Sequence, residues 1–167
     1  MGILKSWAIG MLALITGLAL FLTANIISSN IETSETQSDL EPFYTPPAPL
    51  DGKPGDLLRI EPLGTEVEGA QSLRILYLTE LENGEITAAS GMAFIPTAPS
   101  TNGPREIVAW THGTTGEGDY CAPSRKPNPT SQLTEFLPSM IQLSWALVAT
   151  DYTGLGTPGV QAYLLKD

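Results

Sequence analysis

The chain opens on an unbroken apolar stretch. Trp7 to Ile27 runs for 21 residues without a charge, and only Thr16, Thr23 and Asn25 are polar. About 20 apolar residues rising ~1.5 Å each span a hydrocarbon core. The lack of a polar face speaks against a helix packed in a soluble core. Lys5 precedes the segment, and Glu32 and Glu35 follow it. Positive charge stays in the cytoplasm, so everything beyond Ile27 is expected outside, in an exported protein. Leu22-Thr23-Ala24 supplies a small residue at only one of the two cleavage positions, which leaves a cleaved signal and an uncleaved membrane anchor both open for residues 1–27.

A polar stretch follows. Between Ser28 and Glu68 nine acidic residues face only Lys53 and Arg59, and residues 28–42 hold too little apolar surface to bury, so they read as an acidic, flexible, solvated tether. Phe43-Tyr44-Thr45-Pro46-Pro47 places two aromatics before an extended Pro pair. That pattern fits an arm pinned to a folded body as well as a free linker.

From Leu57 the pattern becomes that of a folded body, residues 43–167 in all. Leu73–Thr79 and Ile86–Ile95 are β-rich runs around Glu82-Asn83-Gly84, and Asn-Gly between such runs predicts a hairpin. Ile107–Trp110 is a short continuous apolar run, as in a strand covered on both faces. Asn128-Pro129 looks like an N-cap with Pro at the first helical position. Leu133, Phe136, Leu137, Met140 and Ile141 then trace one helix face, with Pro138 expected to kink or interrupt it. Trp145–Thr150 is a second apolar run, ending at Asp151. The expected fold is α/β: an antiparallel hairpin leading into a parallel βαβ unit.

Composition narrows the chemistry. A net charge of −10 excludes a nucleic-acid partner, which needs a clustered basic face. One Cys and one His cannot build a zinc site. In parallel sheets, ligands bind past the carboxyl ends of the strands, and two glycine-bearing segments are predicted there, His112–Gly116 and Asp151–Gly159. His-Gly-x-x-Gly after an early strand matches the type of loop that donates an N–H to the oxyanion hole of α/β-hydrolases; His112 is equally readable as an ordinary buried histidine. Asp151 can stay protonated in an apolar site and donate a hydrogen bond, or accept backbone N–H bonds and order the loop. Gly154-x-Gly156-x-x-Gly159 matches the dinucleotide fingerprint in letters only. Pro158 opposes the helix it should open, and the ribose-binding acid would fall beyond residue 167. No cofactor is expected.

Taken together these segments resemble the secretory lipase family of α/β-hydrolases, of lipase-A type. The matching blocks are Phe43–Pro47, Gly52–Pro62, Arg74–Leu78, Val108–Gly116, Cys121–Ser124 and Val148–Gly159 with Ala162-Tyr163-Leu164, all in family order. The resemblance implies the N-terminal part of an α/β-hydrolase fold and a carboxylic-ester hydrolase acting on lipids such as triacylglycerols through a Ser-Asp-His triad. It implies Asp151 as one oxyanion donor, with His112 and Gly113 as further oxyanion-loop candidates, and Cys121 as half of a disulfide. No G-x-S-x-G elbow occurs in the 167 residues, and the one histidine, His112, precedes any place for it. Ser90, Ser124, Ser139 and Ser144 lack the elbow context. The triad and the partner of Cys121 are therefore expected to be absent from this chain, as in a truncated and inactive fragment whose sheet ends on an open edge at Trp145–Thr150. The rival reading is a membrane-tethered, non-catalytic binding module that keeps the strand-end loops.

Overall fold

The computed structural model describes residues 2–100, 103–159 and 161. Two compact units divide the chain, Met1–Asp39 and Leu40–Asp167.

The first unit lies in a helix, α1 (Gly2–Tyr44). The described apolar side chains from Met11 to Ile31 are exposed: Leu14 is 75% exposed, Leu20 71% and Phe21 65%. The polar residues of the segment hydrogen-bond within the helix. Thr16 donates to Leu12 O at 2.7 Å, Thr23 to Leu20 O at 2.9 Å and Asn25 to Phe21 O at 2.8 Å. A helix that satisfies its own polar groups and exposes apolar ones is suited to lipid, and this one is long and apolar enough to cross a membrane, a test that a signal sequence also passes. The helix does not stop at Ile27. Residues 28–42, expected as an acidic flexible tether, continue it. No Gly or Pro interrupts them before Pro42, and extending an existing helix is far easier than starting one.

The second unit begins with the last turn of α1 and is built on one five-stranded sheet: β1 (Leu57–Pro62), β2 (Ala70–Glu80), β3 (Ile86–Pro96), β4 (Ile107–Thr111) and β5 (Ala146–Thr153), in the order β1-β2-β3-β5-β4. The hairpin forms as predicted between β2 and β3. Gly84 takes φ +83°, and Asn83 Oδ1 accepts the Glu85 N–H at 3.0 Å. β4 and β5 are parallel, Thr111 lying beside Thr150.

Three expectations need correction. The helix predicted from Asn128 shrinks to α2 (Leu137–Gln142). Pro138 has no N–H for a longer helix's ladder, so residues 129–136 form tighter turns such as Leu133 N–H to Thr130 O at 2.8 Å. The apolar stripe still packs, with Leu133 and Leu137 buried beside Met92, Phe94 and Leu147. Second, β4 is not covered on both faces. It is an edge strand, and Ile107 is 70% exposed. Third, β5 is not short of neighbours, because the long β3 pairs with its free side, antiparallel, from Phe94 to Ala89. Val160 and Ala162-Tyr163-Leu164 lie outside the described residues.

Candidate active site at the carboxyl ends of β4 and β5

Because β4 and β5 are parallel and in register through Thr111 and Thr150, the next residues, His112 just past β4 and Asp151 among the last residues of β5, lie at the same rim. The pairing of β3 with β5 slips at this point: Gly91 lies beside Thr150, but Ser90 lies beside Tyr152. Asp151 is thus the extra residue of a bulge, a device that re-aims a side chain. Gly91 makes the close approach there, since a Cβ on it would lie 2.4 Å from Ala149 O.

The bulge turns the Asp151 carboxyl into a closed polar cluster. Asp151 is fully buried. Its Oδ2 accepts the Ser90 hydroxyl at 2.7 Å and the Ser124 hydroxyl, and its Oδ1 accepts the Ser124 N–H at 3.0 Å. Tyr44 Oη lies 2.7 Å from Ser124 Oγ. Burial pushes the Asp151 carboxyl above the ordinary range, against the pull of the Ser124 and Ser90 hydrogen bonds and the His112 charge. Burial likewise raises the Tyr44 phenol, opposed by Arg74. The Arg125 guanidinium lies 4.5 Å from the Tyr44 ring centre and donates to Gly156 O at 3.0 Å and to Glu41 at 2.8 Å. It ties the end of α1 to the bend after Asp151.

The other bend is open. His112 Nδ1 is 2.6 Å from Gly113 O, and Nε2 is 3.4 Å from Asp151 O. Both ring nitrogens face carbonyl oxygens, so both contacts call for an N–H, and a neutral imidazole supplies one. The ring is occupied as an orienting group and is not placed to act as a base. Tyr152 packs against it at a tilt of 47° with ring centres 4.6 Å apart and donates its hydroxyl to His112 O at 2.9 Å. Tyr152 has φ +70°, a conformation costing a bulky residue roughly 1–3 kcal/mol; its hydroxyl bond and its N–H to Thr150 Oγ1 at 2.9 Å hold it there. His112, Gly113, Thr114, Thr115, Tyr152 and Leu155 enclose a cavity of about 210 Å³.

The structure brings His112, Gly113 and Asp151 to one rim. His112 and Gly113 line the cavity, and Asp151 does not: its carbonyl meets His112 Nε2 and its carboxyl faces the buried cluster. Cys121 is buried and its thiol is free. Its Sγ crowds Gly116, where a Cβ would come within 2.5 Å. Among the described residues no group of His, Cys, Asp and Glu could hold a metal. Tyr44, Ser90, Ser124 and Tyr152 were not singled out by the sequence as parts of this site. The Phe43-Tyr44 pair before two prolines was the one signal pointing toward it, and both rings are indeed buried.

No family model and no curated protein matches the sequence. Among solved structures the chain is similar to lipase A of Candida antarctica, in its closed state and in a second structure, each at TM-score 0.55 and 22% identity over 69% of this chain. It is also similar to a rice cell wall degrading esterase from Xanthomonas oryzae, at TM-score 0.42 and 21% identity over 63% of this chain. The chain spans 30% of the lipase A chain. The fold is thus α/β, of the kind found in part of an α/β-hydrolase.

Proposed function

We propose that this chain is the N-terminal part of an exported carboxylic-ester hydrolase acting on lipid-like esters, and that it supplies the oxyanion side of the active site. One observation carries the reading: two glycine-bearing bends leave parallel strands at one rim and enclose a single cavity beside His112, Gly113 and Tyr152. The backbone N–H groups of the exposed Gly113 and Thr114 are the candidate donors for an ester oxygen. Asp151, biased toward its acid form by burial, is the second donor in this reading once its carboxyl turns from the Ser90–Ser124 cluster toward the rim. One such donor is worth about 10²–10³ in rate. Lipase A, a lipase by name, has a related fold, which supports the reaction class. The apolar part of α1 acts as export signal or membrane anchor, with residues 28–167 outside; its length and exposure support this.

The nucleophile and its acid and base partners come, in this reading, from polypeptide outside these 167 residues. The test has two arms. The chain alone should hydrolyse p-nitrophenyl butyrate no faster than buffer. The gene beyond codon 167 should encode a G-x-S-x-G elbow, then Asp or Glu, then His, and the extended product should show hydrolysis blocked by a serine-directed inhibitor. Inhibitor-sensitive turnover by the chain alone, or an extension without an elbow, would overturn the proposal. The second result would favour the binding module.

A further inference from the structure

We propose that Tyr44 is a positioning residue: it heads a one-way hydroxyl relay, Tyr44 to Ser124 to Asp151, that aims the Ser124 proton at Oδ2 of Asp151 and so favours the ionised carboxyl. The consequence for catalysis rests on Asp151 being an oxyanion donor; the relay itself does not.

Proton counting gives the direction. Tyr44 is fully buried, and its hydroxyl has Ser124 Oγ as its single hydrogen-bond partner among the described residues. If Ser124 donated to Tyr44, the phenolic proton would be buried with no acceptor, which is strongly disfavoured. Tyr44 therefore donates. Ser124 then has one proton left, and its other hydroxyl contact is Asp151 Oδ2. Ser90 gives its proton to the same oxygen at 2.7 Å. The count holds for the ionised carboxylate, which has no proton of its own: the three hydroxyl protons satisfy the three hydroxyl contacts, and Oδ1 takes the Ser124 N–H at 3.0 Å.

Charge around the cluster reinforces this polarity. Arg74 lies 5.8 Å and Arg125 4.5 Å from the Tyr44 ring centre, and positive charge beside a phenol strengthens it as a donor. These cations are paired, Arg74 with Glu61 and Arg125 with Glu41. His112 and Tyr77 are the other titratable groups facing Asp151.

The test follows Asp151 in the full chain in detergent micelles, labelled with ¹³C at aspartate carboxyls and assigned with Asp151→Asn. Tyr44→Phe should raise the Asp151 titration midpoint by about half to one pH unit. The anion loses a polarised donor, and the acid gains Ser124 as an acceptor. Weaker donation to Oδ2 should also raise the infrared stretch of the Asp151 carboxyl, even if no midpoint falls within range. Ser124→Ala should raise the midpoint at least as far, and Tyr44→Phe should add nothing in that background. Leu76→Ala, which loosens packing beside Tyr44, should leave both readouts unchanged. If Tyr44→Phe does not fold, 3-fluorotyrosine incorporated at position 44, a stronger donor of nearly the same shape, should lower the midpoint. A midpoint and stretch indifferent to position 44, or equal shifts with and without Ser124, would overturn the relay. None of these readouts needs turnover. An intact relay in an extended chain without hydrolysis would sink the functional reading alone.

Discussion

The two bends at the rim of β4 and β5 start side by side and are built in opposite ways. The Asp151 bend is locked. Its carboxyl meets three donors with no exposed surface, and Gly156 takes φ +81° with its carbonyl held by Arg125. Across the rim, the His112 bend presents Gly113 to open space, with no atom near where a Cβ would project, and it faces a cavity. A site that must hold charge in one place and still admit a ligand needs this division. One wall is preorganised, so that no reorganisation is needed when charge develops, and the other is left accessible.

The largest expected effect breaks the locked side. Asp151→Ala should destabilise the fold by about 3–5 kcal/mol in urea melts, because it strands the Ser90 and Ser124 hydroxyls and the Ser124 N–H in a closed site and opens a cavity. Asp151→Asn, which keeps the shape, should cost less. Next comes Gly156→Ala. A Cβ there would lie 2.8 Å from Ala122 Cβ at a positive φ, and a loss of about 1–3 kcal/mol is expected by the same melts. Tyr152→Phe, which releases the His112 carbonyl, should cost about 0.5–1.5 kcal/mol. The smallest effect belongs to the open side: Gly113→Ala should change stability by less than about 0.5 kcal/mol while crowding the cavity and weakening ligand binding there. Equal losses at Gly156 and Gly113 would erase the contrast.

Protonation sharpens the same contrast. With its folded-state pKa raised by burial, Asp151 holds its proton more tightly folded than unfolded. Its contribution to stability is therefore fully present below the ordinary carboxyl range and is lost as pH rises through the raised folded value. The melting-temperature difference between the wild-type chain and Asp151→Asn, compared across that window, should change with rising pH, the wild type losing more and the gap closing.

Much of this rim was legible beforehand because it depends on local signals. Asn83-Gly84 sets the hairpin, and the apolar runs ending before His112 and Asp151 place two glycine-bearing bends after strands. The polar cluster was not legible, because it is assembled from far-apart positions: Ser90 and Asp151 are 61 residues apart, and Tyr44 and Ser124 are 80. Isolated serines with no periodicity give no warning of that meeting. Pro138 interrupts the helix, one of the two outcomes expected of it, but the helix start expected at Asn128-Pro129 is not there, and α2 begins only at Leu137. The edge exposure of β4 was missed for a non-local reason. An apolar run does not reveal that the long β3 would claim the other side of β5, leaving β4 outermost among the described strands.

The central claim is that both bends serve one site for an anionic oxygen, and amide chemical shifts test it most directly. The ¹⁵N-labelled chain, titrated with octylphosphonate, should show backbone N–H shifts in His112–Thr115 and in Tyr152–Gly156 that follow one binding curve. Shifts confined to one bend, or two curves with different midpoints, would contradict it.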